Sequence, residues 1–154
     1  MRPTFQAFMQ QYELWIGSDG EGDVRPLGRA AVEHLRGGYL FPELAPCLAA
    51  IYFVIVEFEY GRLARCFAKF MRWTFQTFIY RGRPMWNDFY MVLWQLSREP
   101  KYVCALHQHL LRARKTRNGL QFVSGQWMVN SVCQQDVEFA QCWQEAVRTH
   151  GEVF

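Results

Sequence analysis

Hydrophobic positions recur at helical spacing over most of the chain. Phe5, Phe8, Met9, Tyr12, Trp15 and Ile16 follow the i, i+3, i+4, i+7 pattern. Pro3 stands where an opening helix tolerates proline, and Gly17 ends the run. A polar, glycine-broken loop (SDGEGD) follows, and then a second amphipathic stretch from Pro26 to Arg36, stopped by Gly37 and Gly38. Tyr39, Leu40 and Phe41 are apolar loop residues expected to pack down onto the core. The stretch from Glu43 to Glu59 is ambiguous. Tyr52 to Phe58 (YFVIVEF) has the β-branched and aromatic content of a buried strand, but no second strand of comparable strength offers itself as partner, so helix is the favoured reading.

After Gly61 the apolar residues fall at Leu63, Cys66, Phe67, Phe70, Met71, Thr74, Phe75 and Phe78, with Arg65, Lys69, Arg72 and Gln76 on most of the other face. This predicts a hydrophobic helix over about 62–79, so aromatic that other helices should surround it. Arg81 to Pro84 reads as a turn. Trp86, Phe89, Tyr90, Leu93, Trp94 and Ser97 make the next helical pattern, up to Pro100. Tyr102, Val103, Leu106, Leu110 and Ala113 continue into the basic end RARKTRNG, where cations suit a helix C-terminus. Gly125 opens Trp127 to Cys133, and Val137, Ala140, Trp143, Ala146 and Val147 suggest a last helix. The expectation is an all-α, single-domain bundle over 1–154, with about seven helices around the central one.

The 154 residues are 51% hydrophobic and 17% aromatic, too apolar for a disordered chain. A net charge of +3 is mild for a nucleic-acid binder. Five cysteines (Cys47, Cys66, Cys104, Cys133, Cys142) are odd in number and form no CxxC pair. With no secretory signal, buried free thiols in a reducing intracellular compartment are expected. The longest apolar run, Ala45 to Val56, is too short to span a bilayer, and no anchor follows Arg148, so a soluble chain is expected.

Candidate chemistry is sparse. Cys104, His107 and His109 are the one cluster of metal-ligand types. His107 and His109, two apart, point to different sides of a helix, and a zinc site needs three or four ligands, so a surface histidine pair is the expectation and no metal or cofactor is assigned. Acid pairs such as Glu57 with Glu59 have no nucleophile or oxyanion site beside them, and the chain has no GxSxG, P-loop, GxGxxG or HExxH. An enzyme is not expected. Arg112, Arg114, Lys115 and Arg117 form a basic run that could serve as a nucleic-acid or localisation patch. The abundant aromatic and methionine side chains offer another possibility, an apolar cleft filled by a partner's amphipathic helix. A homo-oligomer that buries spare aromatics is a third.

The tetrad Glu59-Tyr60-Gly61-Arg62, ahead of LARCFAKF, resembles the first homology motif of the Bcl-type apoptosis regulators, Asn-Trp-Gly-Arg at the start of a hydrophobic helix. An aromatic holds the tryptophan position and Glu59 the asparagine position. Gly125-Gln126-Trp127 is similar to that family's second motif, with Met128 where an acidic residue is usual. The segment from Leu27 to Leu35 stands where the third motif's helix would lie, and the order of helices is similar to that of divergent viral members. The resemblance implies an anti-apoptotic accessory protein that binds the death-motif helices of pro-apoptotic partners. In that reading Arg62 pairs with the ligand's aspartate and Gly61 admits its backbone. Phe58, Phe67 and Phe70 or Met71, with Tyr60 nearby, form the floor of the groove, and Trp127 forms its wall.

Overall fold

The structure, a computed structural model, describes residues 2–38, 43–77, 85–117 and 119–154, with backbone alone for 74–77. Among these residues are eight helices: α1 (Pro3–Gly17), α2 (Arg25–Arg36), α3 (Leu44–Glu57), α4 (Gly61–Thr77), α5 (Met85–Ser97), α6 (Pro100–Lys115), α7 (Gly119–Gln135) and α8 (Val137–His150). The all-α expectation holds, and the ambiguous stretch is the helix α3. The readings made for Tyr39 to Phe41 and for the turn from Arg81 to Pro84 lie outside the described residues.

The count rises from about seven to eight because 119–150 holds two full helices. They are divided by a single residue, Asp136, whose carboxylate accepts a hydrogen bond from the Phe139 amide (3.1 Å) and so caps α8. The first half of α7 gives little helical signal in the sequence because its surface is amide, hydroxyl and apolar in mixture, with little contrast between faces.

The centre of the bundle also differs from expectation. Helix α5 packs on α1, α3, α6 and α7, and α3 packs on α2, α4 and α5. Helix α4 has its main described interface with α3 alone. Charge explains the exchange. Within its bounds α5 carries one charged residue, Asp88, and it is exposed. Helix α4 carries Arg62, Arg65, Lys69 and Arg72, and surrounding it would desolvate four cations without counter-ions on the same helix. The buried set on α5 includes Phe89, Leu93, Trp94 and Leu96, joined by Phe8 of α1, Phe53 of α3, Leu106 of α6 and Phe139 of α8 in one continuous core.

Buried polar groups tie the elements together. Trp15 Nε1 donates to the Leu96 carbonyl (3.0 Å), and Asn87 Nδ2 donates to that of Gln121 (3.0 Å). His34 is fully buried, with Thr4 Oγ1 2.7 Å from Nδ1 and Glu43 Oε2 3.6 Å from Nε2. Arg114 donates to the carbonyls of Glu152 (3.0 Å) and Val153 (3.2 Å), holding the C-terminal segment against α6 with Val153 buried. No helix among the described residues is long and apolar enough to cross a membrane.

Candidate functional site

Helix α3 ends in a tight backbone motif that aims the chain into α4. The Glu59 amide bonds the Val56 carbonyl (2.9 Å) and the Tyr60 amide bonds that of Ile55 (3.2 Å), the paired hydrogen bonds of a Schellman ending. The residue at its left-handed position is Glu59, φ +59°, where glycine is the usual choice. Phe58 and Tyr60 flank it on the surface with rings stacked at 6.4 Å. Gly61 then starts α4. Glu59, Tyr60, Gly61, Arg62, Leu63 and Cys66 line a shallow, solvent-open depression of about 550 Å³.

The apolar residues of α4 divide into two stripes. Ala64, Phe67, Ala68 and Met71 lie on the buried or half-buried side, with Met71 only 1% exposed. Leu63, Phe70 and Trp73 are each about half exposed, and Cys66 stands exposed between them. Arg62, Arg65, Lys69 and Arg72, all exposed, run alongside at 3-4-3 spacing and therefore share one side of the helix. The outer surface of α4 is an apolar stripe next to a basic one.

The groove expected from sequence is only partly assembled. Phe58, Tyr60, Gly61, Arg62 and Phe70 are together on the surface of the α3–α4 elbow and α4. Phe67 is half-buried, its ring 6.2 Å from that of Phe70. Met71 is spent in the core. Trp127 is 75% exposed on α7, a helix that packs on α5, α6 and α8. Gly125 has a packing role: a Cβ there would lie 2.3 Å from Leu110 Cδ2, so glycine lets α7 close onto α6. At Gly61 an added Cβ meets nothing within 4 Å.

The basic run is exposed at the end of α6. Arg112, Lys115 and Arg117 face solvent, and Arg114 is engaged by the tail carbonyls. The histidine expectation is corrected. His107 is fully buried and donates from Nε2 to the Gly151 carbonyl (2.9 Å), while His109 is largely buried, its Nε2 3.0 Å from Gln121 Oε1. Burial holds the His109 pKa below its ordinary value, since a charged ring would lose solvation there. Both rings belong to the interior because α6 is covered by α5, α7 and α8.

The five cysteines are unpaired, as expected, but Cys47 alone is buried, its thiol pushed up to about 12 by burial and by Glu43. Cys104 Sγ lies 3.7 Å from His150 Nε2 at a cleft between α6 and α8. That juxtaposition spans 46 positions and left no local signal in the chain. Among the described residues no group of three or more His, Cys, Asp or Glu is placed to hold a metal ion. A larger hollow of about 750 Å³ has Tyr12, Trp15, Phe53 and Tyr102 among its walls and Glu57 and Asp136 at its edge. Its Asp136 carboxylate is committed to Arg98, Trp94 Nε1 and the α8 cap.

Comparison with protein-family models, curated proteins and solved structures finds no match.

Proposed function

We propose that the protein is a non-enzymatic, helix-binding regulator that acts in the manner of the Bcl-type apoptosis regulators it resembles. Its partner is an amphipathic helix with acidic residues beside its apolar stripe, the class to which pro-apoptotic death-motif helices belong. The observation that carries this reading is the pair of stripes on α4. Leu63, Phe70 and Trp73 supply apolar and aromatic surface of the kind that dominates binding energy, and the four cations beside them select for carboxylates. The depression at Tyr60, Gly61 and Arg62 gives the ligand helix one close approach, with Arg62 free to turn toward an aspartate.

The test is a titration of labelled death-motif helices, with versions whose acidic residues are replaced by lysine. Saturable binding is expected for the acidic helices. Arg62→Ala should weaken it about ten-fold, the loss of one charge-assisted contact. Gly61→Glu should abolish it while leaving the unfolding midpoint unchanged, because the position is open. A folded protein that binds no acidic amphipathic helix would overturn the reading.

A further inference from the structure

Helices α6 and α8 enclose a cleft of about 430 Å³ in which an imidazole and an amide converge on one sulfur. Cys104 Sγ lies 3.7 Å from His150 Nε2 and accepts a hydrogen bond from Gln108 Nε2 at 3.8 Å. Gln108 stands one turn after Cys104 and Lys101 one turn before it, so the three share a side of α6. The imidazole comes from the other wall. His150 is the last residue of α8, and the backbone after it is pinned. His107 Nε2 donates to the Gly151 carbonyl (2.9 Å), and Arg114 donates to those of Glu152 (3.0 Å) and Val153 (3.2 Å). A pinned end keeps the His150 ring beside Cys104, where a frayed helix end would carry it away. The other thiols are placed differently. Cys47 is buried, and Cys66 is exposed on α4. Burial and nearby carboxylates push up Cys133 (Asp136) and Cys142 (Glu138, then Asp136). Among the described residues, Cys104 is the thiol set within hydrogen-bond reach of a histidine.

We infer that Cys104 is a site of reversible S-thiolation, with His150 as its base and a low-molecular-weight disulfide as its reactant. The thiolate is the nucleophile in such an exchange, and a base beside the thiol supplies it. His150 Nε2 takes the thiol proton, and Cys104 Sγ attacks one sulfur of the disulfide. A bond forms between Sγ and that sulfur as the reagent's own S–S bond breaks. The electron pair leaves on the second sulfur, which takes the proton back from His150 and departs as a thiol. Cys104 is thereby oxidised to a mixed disulfide and the departing half is reduced, and excess free thiol reverses the exchange. Gln108 Nε2 donates more strongly to an anionic sulfur than to a neutral one. Lys101 on the same wall offers a cation to the carboxylates that peptide-derived disulfides carry, while Glu145 across the cleft is paired with Arg148. Cys104 is half-buried and His150 exposed, so a reagent reaches the sulfur without opening the bundle. The inference does not depend on the helix-binding reading of α4.

The test is a time course of the full, pre-reduced chain with glutathione disulfide near neutral pH, the adduct on each cysteine followed by peptide mass spectrometry. Cys104 should gain the adduct at least about ten-fold faster than Cys142, which lines the same cleft with a raised thiol. Dithiothreitol should then restore the unmodified mass. His150→Gln keeps a hydrogen-bonding amide at the position but no base. It should slow the reaction of Cys104 at least about ten-fold and leave that of Cys66 unchanged. The position is exposed, so circular dichroism should show a folded variant. Reaction of Cys104 at the rate of Cys142, or a Cys104 rate that His150→Gln leaves unchanged, would overturn the proposal.

Discussion

Helices α4 and α7 turn the same kind of pattern outward and differ in what runs beside it. On α4, Leu63, Cys66, Phe70 and Trp73 form a stripe at 3-4-3 spacing, and on α7 Leu120, Val123, Trp127 and Asn130 repeat that spacing. Four cations of α4 flank the first stripe, and α7 itself carries none to flank the second. Apolar area supplies association energy without direction, and neighbouring charge decides which partner receives it. The basic flank of α4 would favour an acidic partner, and α7 carries no charge that would make such a choice. Their inner faces differ as well. Helix α7 is wedged against α5, α6 and α8, whereas α4 has its main described interface with α3.

The largest effect that would sharpen this contrast concerns two glycines. Gly125→Val forces Leu110 out of place beneath α7, and overpacking of that kind costs about 2–3 kcal/mol in urea unfolding. Gly61→Ala, on the open side of α4, should change stability by less than about 1 kcal/mol. Equal losses at both positions would mean that α4 is packed as closely as α7.

Next in size is the joint that ends α7. Burial raises the Asp136 carboxyl, but hydrogen bonds from Arg98, the Phe139 amide and Trp94 outweigh it and hold the group below the usual carboxylate range. A lowered folded-state pKa stabilises the protein above the unfolded carboxylate value, about 4, and that contribution disappears as pH falls through the folded value. Asp136→Ala should cost about 2 kcal/mol at pH 7, from a lost cap and a buried indole N–H left without its acceptor. Asp136→Asn keeps cap chemistry and should unfold with a shallower acid dependence than wild type does as pH falls below the usual carboxylate range. An unchanged acid slope would remove Asp136 as the pin. Among the described residues, the α3–α4 elbow is closed by backbone bonds at the equivalent place.

The smallest effect separates the two surfaces by salt. Binding of an acidic helix to α4 should weaken several-fold between about 50 and 500 mM salt as the cation stripe is screened. Stability lost on substituting Gly125 beneath α7 should hold over the same range, since α7 carries no charged residue to be screened. Parallel salt responses would erase the contrast between the two helices.

Periodicity and punctuation in the sequence place most of the helices. Gly17, Gly37 and Pro100 mark ends or starts within a residue of those seen, and α5 and α6 match their apolar spacing. Helix α4 shows where that reasoning stops. Its apolar residues span more than half the circumference, and periodicity treats them as one core face when the structure buries Met71 and leaves Phe70 on the surface. The Gly61-Arg62 pair and its basic neighbours were legible as a candidate site because they are local. The placement of Trp127 on a helix packed against α5, α6 and α8 was not.

What the chain determined by itself is the set of local choices: helical backbone, the breaks between elements, the cation stripe of α4 and the absence of charge in α7. These follow from steric preferences and residue order over a turn or two of helix. Tertiary structure decided which helix is enclosed, which of two apolar stripes on α4 faces α3, and that Cys104 meets His150 across 46 positions. Those outcomes depend on competition among all the apolar faces for a limited interior, and a single segment carries no record of what its neighbours will cover.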